Sequence, residues 1–181
     1  MVKSAYSFAT KKEKIEHHII VVWVDNESGV LARVVGLFSG RGYNIDSLAV
    51  AEVDKKKNIS RITIATSGTQ QVLQQIKLQL GKLVPVHKVA DFPRNTKTLM
   101  REMALLKVVA SDVKLKKAKK LCKKYKHTVL DKTTKSFVFE VSALKKEIDE
   151  LIKKLQPLGL ASASRTGVVA MTKGPEVYKQ N

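Results

Sequence analysis

The hydrophobic pattern of this chain runs strand, helix, strand, strand, helix, strand, and then runs through the same order a second time. Residues 18–24 are dense in Ile and Val and read as a strand. Asp25-Asn26-Glu27-Ser28-Gly29 supplies turn and N-cap residues, so a helix is expected to start there. Val30, Leu31, Val34, Leu37 and Phe38 recur at three- and four-residue spacing, which predicts one amphipathic helix. It ends at Gly40-Arg41-Gly42, where glycine can take the left-handed conformation of a helix terminus. Residues 43–53 and 59–66 read as two strands joined by the charged turn 54–58. Thr69 is the expected N-cap of a second helix, with Val72, Leu73, Ile76 and Leu80 as its buried stripe and Gly81 as its stop. Residues 84–89 close the unit as a strand.

In the second pass, residues 103–110 read as a strand, and Leu115, Ala118, Leu121, Cys122 and Tyr125 form a helical stripe whose opposite face is lysine. Val129 and residues 136–142, with alternating Phe137, Phe139 and Val141, predict a hairpin. Leu144, Ile148, Leu151, Ile152 and Leu155 mark the last helix, with Ser142 as its N-cap. Residues 160–171 finish the unit as a strand, broken around 162–165. A six-element βαββαβ order in about 75 residues is the split arrangement of ferredoxin-like folds. The predicted class is therefore α+β, with two ferredoxin-like βαββαβ domains. The expected boundaries are an N-terminal arm at 1–16, a first domain at 17–91, a linker at 92–100, a second domain at 101–172 and a tail at 173–181. The linker reading rests on Pro93, Asn95 and the charges around them.

Net charge is the one composition figure that argues for a nucleic-acid or membrane partner, at +18 over 181 residues. Its distribution weakens that reading. Residues 91–181 carry 21 Lys or Arg against 9 acids, while residues 1–90 carry 13 against 7. Lysine supplies 28 of the 34 basic residues, whereas base reading and phosphate clamping favour arginine. The first-domain strands offer Trp23 and Tyr43 among mostly aliphatic residues, not the aromatic platform of an RNA-binding sheet. No nucleic-acid partner is expected. The longest apolar run, residues 19–24, is far too short to cross a bilayer, and residues 1–16 have no continuous apolar region, so neither a membrane nor a secretory signal is expected. A single cysteine, Cys122, suits a reducing cytoplasmic setting and excludes a multi-thiolate metal site.

Catalysis finds little support. His17, His18, His87 and His127 are scattered, and neighbouring histidines on a strand point to opposite faces, so no metal site or catalytic group is expected. Metalloprotease, nucleophile-elbow and Walker signatures are all missing. The informative segment is Asn26-Glu27-Ser28-Gly29-Val30-Leu31. A glycine at a helix entrance leaves backbone N–H groups open to a carboxylate, and the helix dipole favours that charge. The same residues also fit a plain structural reading, in which Ser28 caps the helix and Gly29 permits a tight turn.

From Asp25 through Gly29, Gly36, Gly42 and Asn44 to Leu48, the chain resembles the signature of the acetolactate synthase small subunit. The likeness continues through residues 60–64, 75–84 and 101–107 and resumes at Arg165-Thr166-Gly167-Val168. That resemblance implies that the first domain is an ACT domain, that the chain is a non-catalytic regulatory subunit, and that its partner is the large catalytic subunit. It implies homodimers or higher homo-oligomers that hold an effector, usually valine, between protomers. Carried over, the backbone at Gly29, Val30 and Leu31 would meet the effector carboxylate, with Asn26 from the same loop. Asn44 and Ile45 would come from the other protomer, and Val30, Leu31 and Ile45 would form an apolar wall. Thiamine diphosphate, magnesium and FAD would belong to the catalytic partner, with no cofactor bound by this chain. An ACT regulator of another amino-acid pathway shares the same seat and differs only in its partner.

Overall fold

The computed structural model describes residues 14–93 and 98–175. The first unit comprises β1 (Glu16–Asp25), α1 (Val30–Ser39), β2 (Ser47–Asp54), β3 (Ile59–Gly68), α2 (Gln70–Leu80) and β4 (Val86–Pro93). The second comprises β5 (Thr98–Val109), α3 (Asp112–Cys122), β6 (His127–Lys132), β7 (Ser136–Ala143), α4 (Lys145–Leu155), a 3-10 turn at Gln156–Leu158, β8 (Leu160–Arg165) and β9 (Val169–Thr172). The sheet orders are β2-β3-β1-β4 and β6-β7-β5-β8, the same permutation twice. Every neighbouring pair is antiparallel. The predicted repeat of two ferredoxin-like units is what the chain forms. Most of the expected arm and tail lies outside the described residues, as does part of the expected linker, of which β4 and β5 take Phe92, Pro93 and Thr98 to Met100.

Each unit has its own core, built from the stripes that periodicity picked out. Val34, Phe38, Ile76 and Leu80 pack on Ile20, Val22, Ile62 and Ile64 in the first. Leu115, Ala118, Cys122, Ile148, Leu151 and Leu155 pack on Leu106, Val108, Phe139 and Val141 in the second. Thr69 caps α2 by accepting the Val72 N–H at 3.3 Å. The turn before β3 closes where Asp54 accepts the N–H groups of Lys56 and Lys57, both at 3.0 Å, and Asn58 takes φ 53°.

Local structure differs from expectation in three places. Ser142 stays in β7, and α4 starts after Leu144, whose N–H is taken by the Glu147 carboxylate at 2.8 Å. The end of α1 is as expected, with Gly42 of Gly40-Arg41-Gly42 carrying a positive φ, 68°, and Gly40 right-handed. Residues 43–46, expected to open a strand, form an irregular loop. Tyr43 donates its N–H to the Phe38 carbonyl at 2.9 Å and lies edge-on to the Phe38 ring, so the chain stays folded against the end of α1 until Ser47. The final strand breaks at 166–168, not at 162–165, and Gly167 holds φ 78° there.

A third apolar cluster joins the two units. Ile19, Val21 and Trp23 of β1 face away from α1 and α2 and are covered by Val168 and Ala170, with Met100 beside them. β9 pairs with the first four residues of β5, from Thr98↔Thr172 to Arg101↔Val169, and this ribbon lies across the open face of the first sheet. Both faces of β1 are thus buried, which removes alternation from its sequence. Arg61 sits directly opposite Trp23, its guanidinium 5.4 Å from the ring centroid, and donates through Nη2 to the Ala170 carbonyl. Its Nε is buried without a partner among the described residues, and burial pulls its pKa down.

The loop that delivers β9 is fixed at both ends. Arg165 makes a two-pronged pair with buried Glu102, at 2.7 and 2.9 Å, and reaches Asp149 of α4 at 2.6 Å. These bonds, Glu102 foremost, raise its pKa further. The Val168 N–H reaches Ser47 Oγ at 3.3 Å, and a Cβ on Gly167 would stand 3.3 Å from that of Ser47.

Placing a carboxylate in this seam should separate the units without emptying either core. Val168→Asp is expected to cost about 3 kcal/mol or more and to turn one urea transition into two, read by Trp23 fluorescence against far-ultraviolet circular dichroism. A single unshifted transition would show that the seam contributes nothing. Burial pushes the Cys122 thiol up to about 12 from 9.0. Above pH 9 the unfolded chain loses that proton and the folded chain keeps it, so stability should fall as pH rises from 9 towards 12. Cys122→Ala should flatten this slope in pH-dependent denaturant titrations.

Candidate functional site

The entrance of α1 is the place where backbone donors are left over. Gly29 occupies the N-cap position with φ 83° and ψ −10°, and no side chain caps the helix. The structural reading of Ser28 as a cap is therefore not realised. The Val30 N–H makes a long 3.3 Å bond to the Glu27 carbonyl. No partner occurs among the described residues for the N–H groups of Gly29, Leu31 and Ala32. Nothing lies within 4 Å of where a Gly29 Cβ would be, so the donors open on free space. First-turn amides carry the positive end of the helix dipole, and a carboxylate is the natural complement.

Neighbouring strands hold this entrance in place. Asn26 donates its N–H to the Asn58 carbonyl at 2.8 Å, and its side-chain oxygen accepts from buried Ser60 at 3.0 Å. Asp25 donates its N–H to the Pro85 carbonyl, and its carboxylate meets His87 Nε2 at 2.6 Å. Asn26 thus positions the loop, with its side-chain oxygen already engaged. Of the apolar residues, Val30 is buried in the core, whereas Leu31 stays 40% exposed beside the open amides.

Asn44 and Ile45 lie in the loop after α1, separated from Gly29 by the length of a ten-residue helix, about 15 Å. One copy of the chain does not bring the two groups together. Asn44 donates Nδ2 to Asp46 at 2.7 Å, its carbonyl accepts the Thr66 hydroxyl at 2.6 Å, and Asp46 donates its N–H to the Ala65 carbonyl. The Asn44 Oδ1 is thereby turned into the free acceptor of its amide, the atom suited to an ammonium donor. Ile45 is half-buried against the first core. Sequence reasoning missed Ser60, Thr66 and Asp46 as supports of these loops. Ser60 and Thr66 are buried polar residues of β3, but Arg61, Thr63 and Ser67 make the strand polar at other positions too, so the sequence did not single them out.

The family comparisons fit this geometry. Residues 20–88 match the model described as an AHAS small subunit-like ACT domain, and residues 101–174 match the model described as the small subunit of acetolactate synthase. The acetolactate synthase isozyme 3 small subunit of Salmonella typhimurium is 35% identical over 162 residues, covering 89% of this chain and 98% of that one. This chain belongs to the acetolactate synthase small-subunit family. The small subunit of Aquifex aeolicus is also 35% identical, over 94% of this chain and 88% of its own. The crystal structure of the Thermotoga maritima small subunit superposes with a TM-score of 0.80 at 30% identity, covering 88% of this chain and 99% of that one.

Membership makes the first unit an ACT domain and the chain a small subunit, not the catalytic one. Among the described residues no group of three or more His, Cys, Asp or Glu is placed to hold a metal ion, and no helix is long and apolar enough to cross a membrane. The stretch Arg165 to Val168, part of the small-subunit resemblance, serves the seam: Arg165 anchors β8, Gly167 turns the chain and Val168 enters the shared cluster.

Because the space beside Gly29 is empty, a side chain there acts through the backbone alone. Gly29→Ala should lower stability by about 1 kcal/mol from left-handed strain without clashing. A thermal melt checks this, and a loss several times larger would mean that hidden contacts surround the position.

Proposed function

We propose that this small subunit stabilises the active form of the large catalytic subunit of acetolactate synthase, and that valine bound between paired ACT domains weakens that support. The observation that carries the reading is the uncapped entrance of α1, with its left-handed Gly29 and unpartnered amides facing open space. The effector carboxylate takes those donors, and its side chain rests against Leu31. A second copy supplies Asn44, whose free Oδ1 accepts from the ammonium, and Ile45. Pairing is supported by β2, an edge strand of the first sheet that exposes Val50 and Val53. Thiamine diphosphate, magnesium and FAD belong to the large subunit in this reading. For valine to regulate, it must bind the two states of the complex with different affinity, by roughly 1 to 3 kcal/mol in typical allosteric systems.

Calorimetric titration of the chain with valine, with alanine as control and at moderate salt, should show saturable binding of valine alone. Gly29→Asp places a carboxylate where the effector's own belongs, and aspartate tolerates left-handed backbone better than most residues. This variant should abolish valine inhibition in an acetolactate assay with the large subunit while still activating it. Asn44→Ala should weaken valine binding by about tenfold, the loss of a hydrogen bond to a charged group, with activation retained. Full valine inhibition in Gly29→Asp would misplace the site.

A further inference from the structure

We propose that the cleft between the ACT domain and the C-terminal unit is a second binding site, for an aliphatic organic anion. The cleft measures about 490 Å³ and draws its walls from β1, β3 and the 44–46 loop on one side and from β5, α4 and the β9 segment on the other. Its floor is aliphatic, built from Ile19, Ala65, Leu99, Met100 and Val168, with Leu99 44% exposed. Four basic side chains line it as well: Arg101, Lys145, Lys146 and Lys173. None of them has an ion-pair partner among the described residues. The one carboxylate in the lining among the described residues, Asp46, is occupied by Asn44 Nδ2 at 2.7 Å and stands 3.7 Å from His17.

An apolar floor surrounded by unpaired cations fits a carboxylate or phosphate carried on a hydrocarbon body. Among the described residues no Phe, Tyr or Trp lines the cleft and its rings are those of His17 and His18, so an aliphatic body fits better than a large stacked one. The volume exceeds what a single amino acid fills and suits a medium-length chain. Occupancy would bridge the start of α4 to the loop that bears Asn44, because Asp46 and Thr66 share the lining. The assignment needs neither valine nor a second copy, so it fails or holds separately from the effector site at Gly29.

The test is titration of the full chain with octanoate at fixed ionic strength, alongside acetate (charge without body), octanol (body without charge) and 2-oxoisovalerate (a short branched acid). Saturable 1:1 binding of octanoate, with acetate, octanol and 2-oxoisovalerate weaker by about tenfold or more, supports the site; tighter binding of 2-oxoisovalerate would overturn the assignment of a medium-length body. Lys146→Glu combined with Lys173→Glu, and separately Leu99→Glu, should each lower affinity by about tenfold. Lys116→Glu combined with Lys120→Glu, on the exposed face of α3, should leave it unchanged. Absence of saturable binding, or equal weakening by the α3 pair, would overturn the proposal, since the latter would mean general attraction to a cationic surface.

Discussion

The contact on which this architecture depends is the burial of the outer face of β1 by a strand from the other end of the chain. Ile19, Val21 and Trp23 would lie open to water in an isolated βαββαβ unit, because both helices pack on the opposite face of the sheet. Val168 and Ala170 cover them, and Arg61 bridges Trp23 to the β9 backbone. The guanidinium lies over the Trp23 ring and donates to a carbonyl while its Nε has no partner among the described residues, so hydrophobic burial, not ion pairing, closes the seam. Polar anchoring comes beside it, where Arg165 ties β8 to Glu102 and Asp149 and so fixes the origin of the loop that carries Val168.

Much of this was legible in the residues. The α1 and α2 stripes, the cap at Thr69 and the doubled strand order all followed from periodicity, because each helix buries one face and its spacing records that face. The caps that shifted are local competitions between hydrogen bonds. Ser142 looked like a helix cap, but the alternating run through Phe139 and Val141 kept it in the ladder opposite Met103. Tyr43 has strand propensity, yet its ring found Phe38 and its amide found the end of α1. The seam was partly written in the six-residue run at 19–24, where absence of alternation marks a strand covered on both sides. Its covering partner could not be read that way, since Val168 and Ala170 sit in a short, broken strand far along the chain.

The candidate site was legible as chemistry and illegible as geometry. Gly29 at a helix entrance announced open amides, and the structure leaves them open. Asn26, expected beside the effector, gives its side-chain oxygen to Ser60, which holds the loop and leaves Nδ2 as the donor that a carboxylate would need. The orientation of Asn44 depends on Asp46 two residues away, a pairing that only the folded loop reveals. The lysines of α3 remain on the solvent side: Leu115, Ala118 and Cys122 take the buried face, and Lys119 alone leans over the Phe137 ring. Their charge belongs to the C-terminal unit.

Strand β5 belongs to two sheets at once. Its first four residues pair with β9 on the ACT side, and from Glu102 onward it pairs with β7 inside the C-terminal sheet. A twelve-residue strand spans about 40 Å, so it behaves as a stiff beam with one end clamped under each domain. A tilt of the ACT sheet would travel along that beam into the C-terminal sheet, as far as the register shift at Lys107 and Val108.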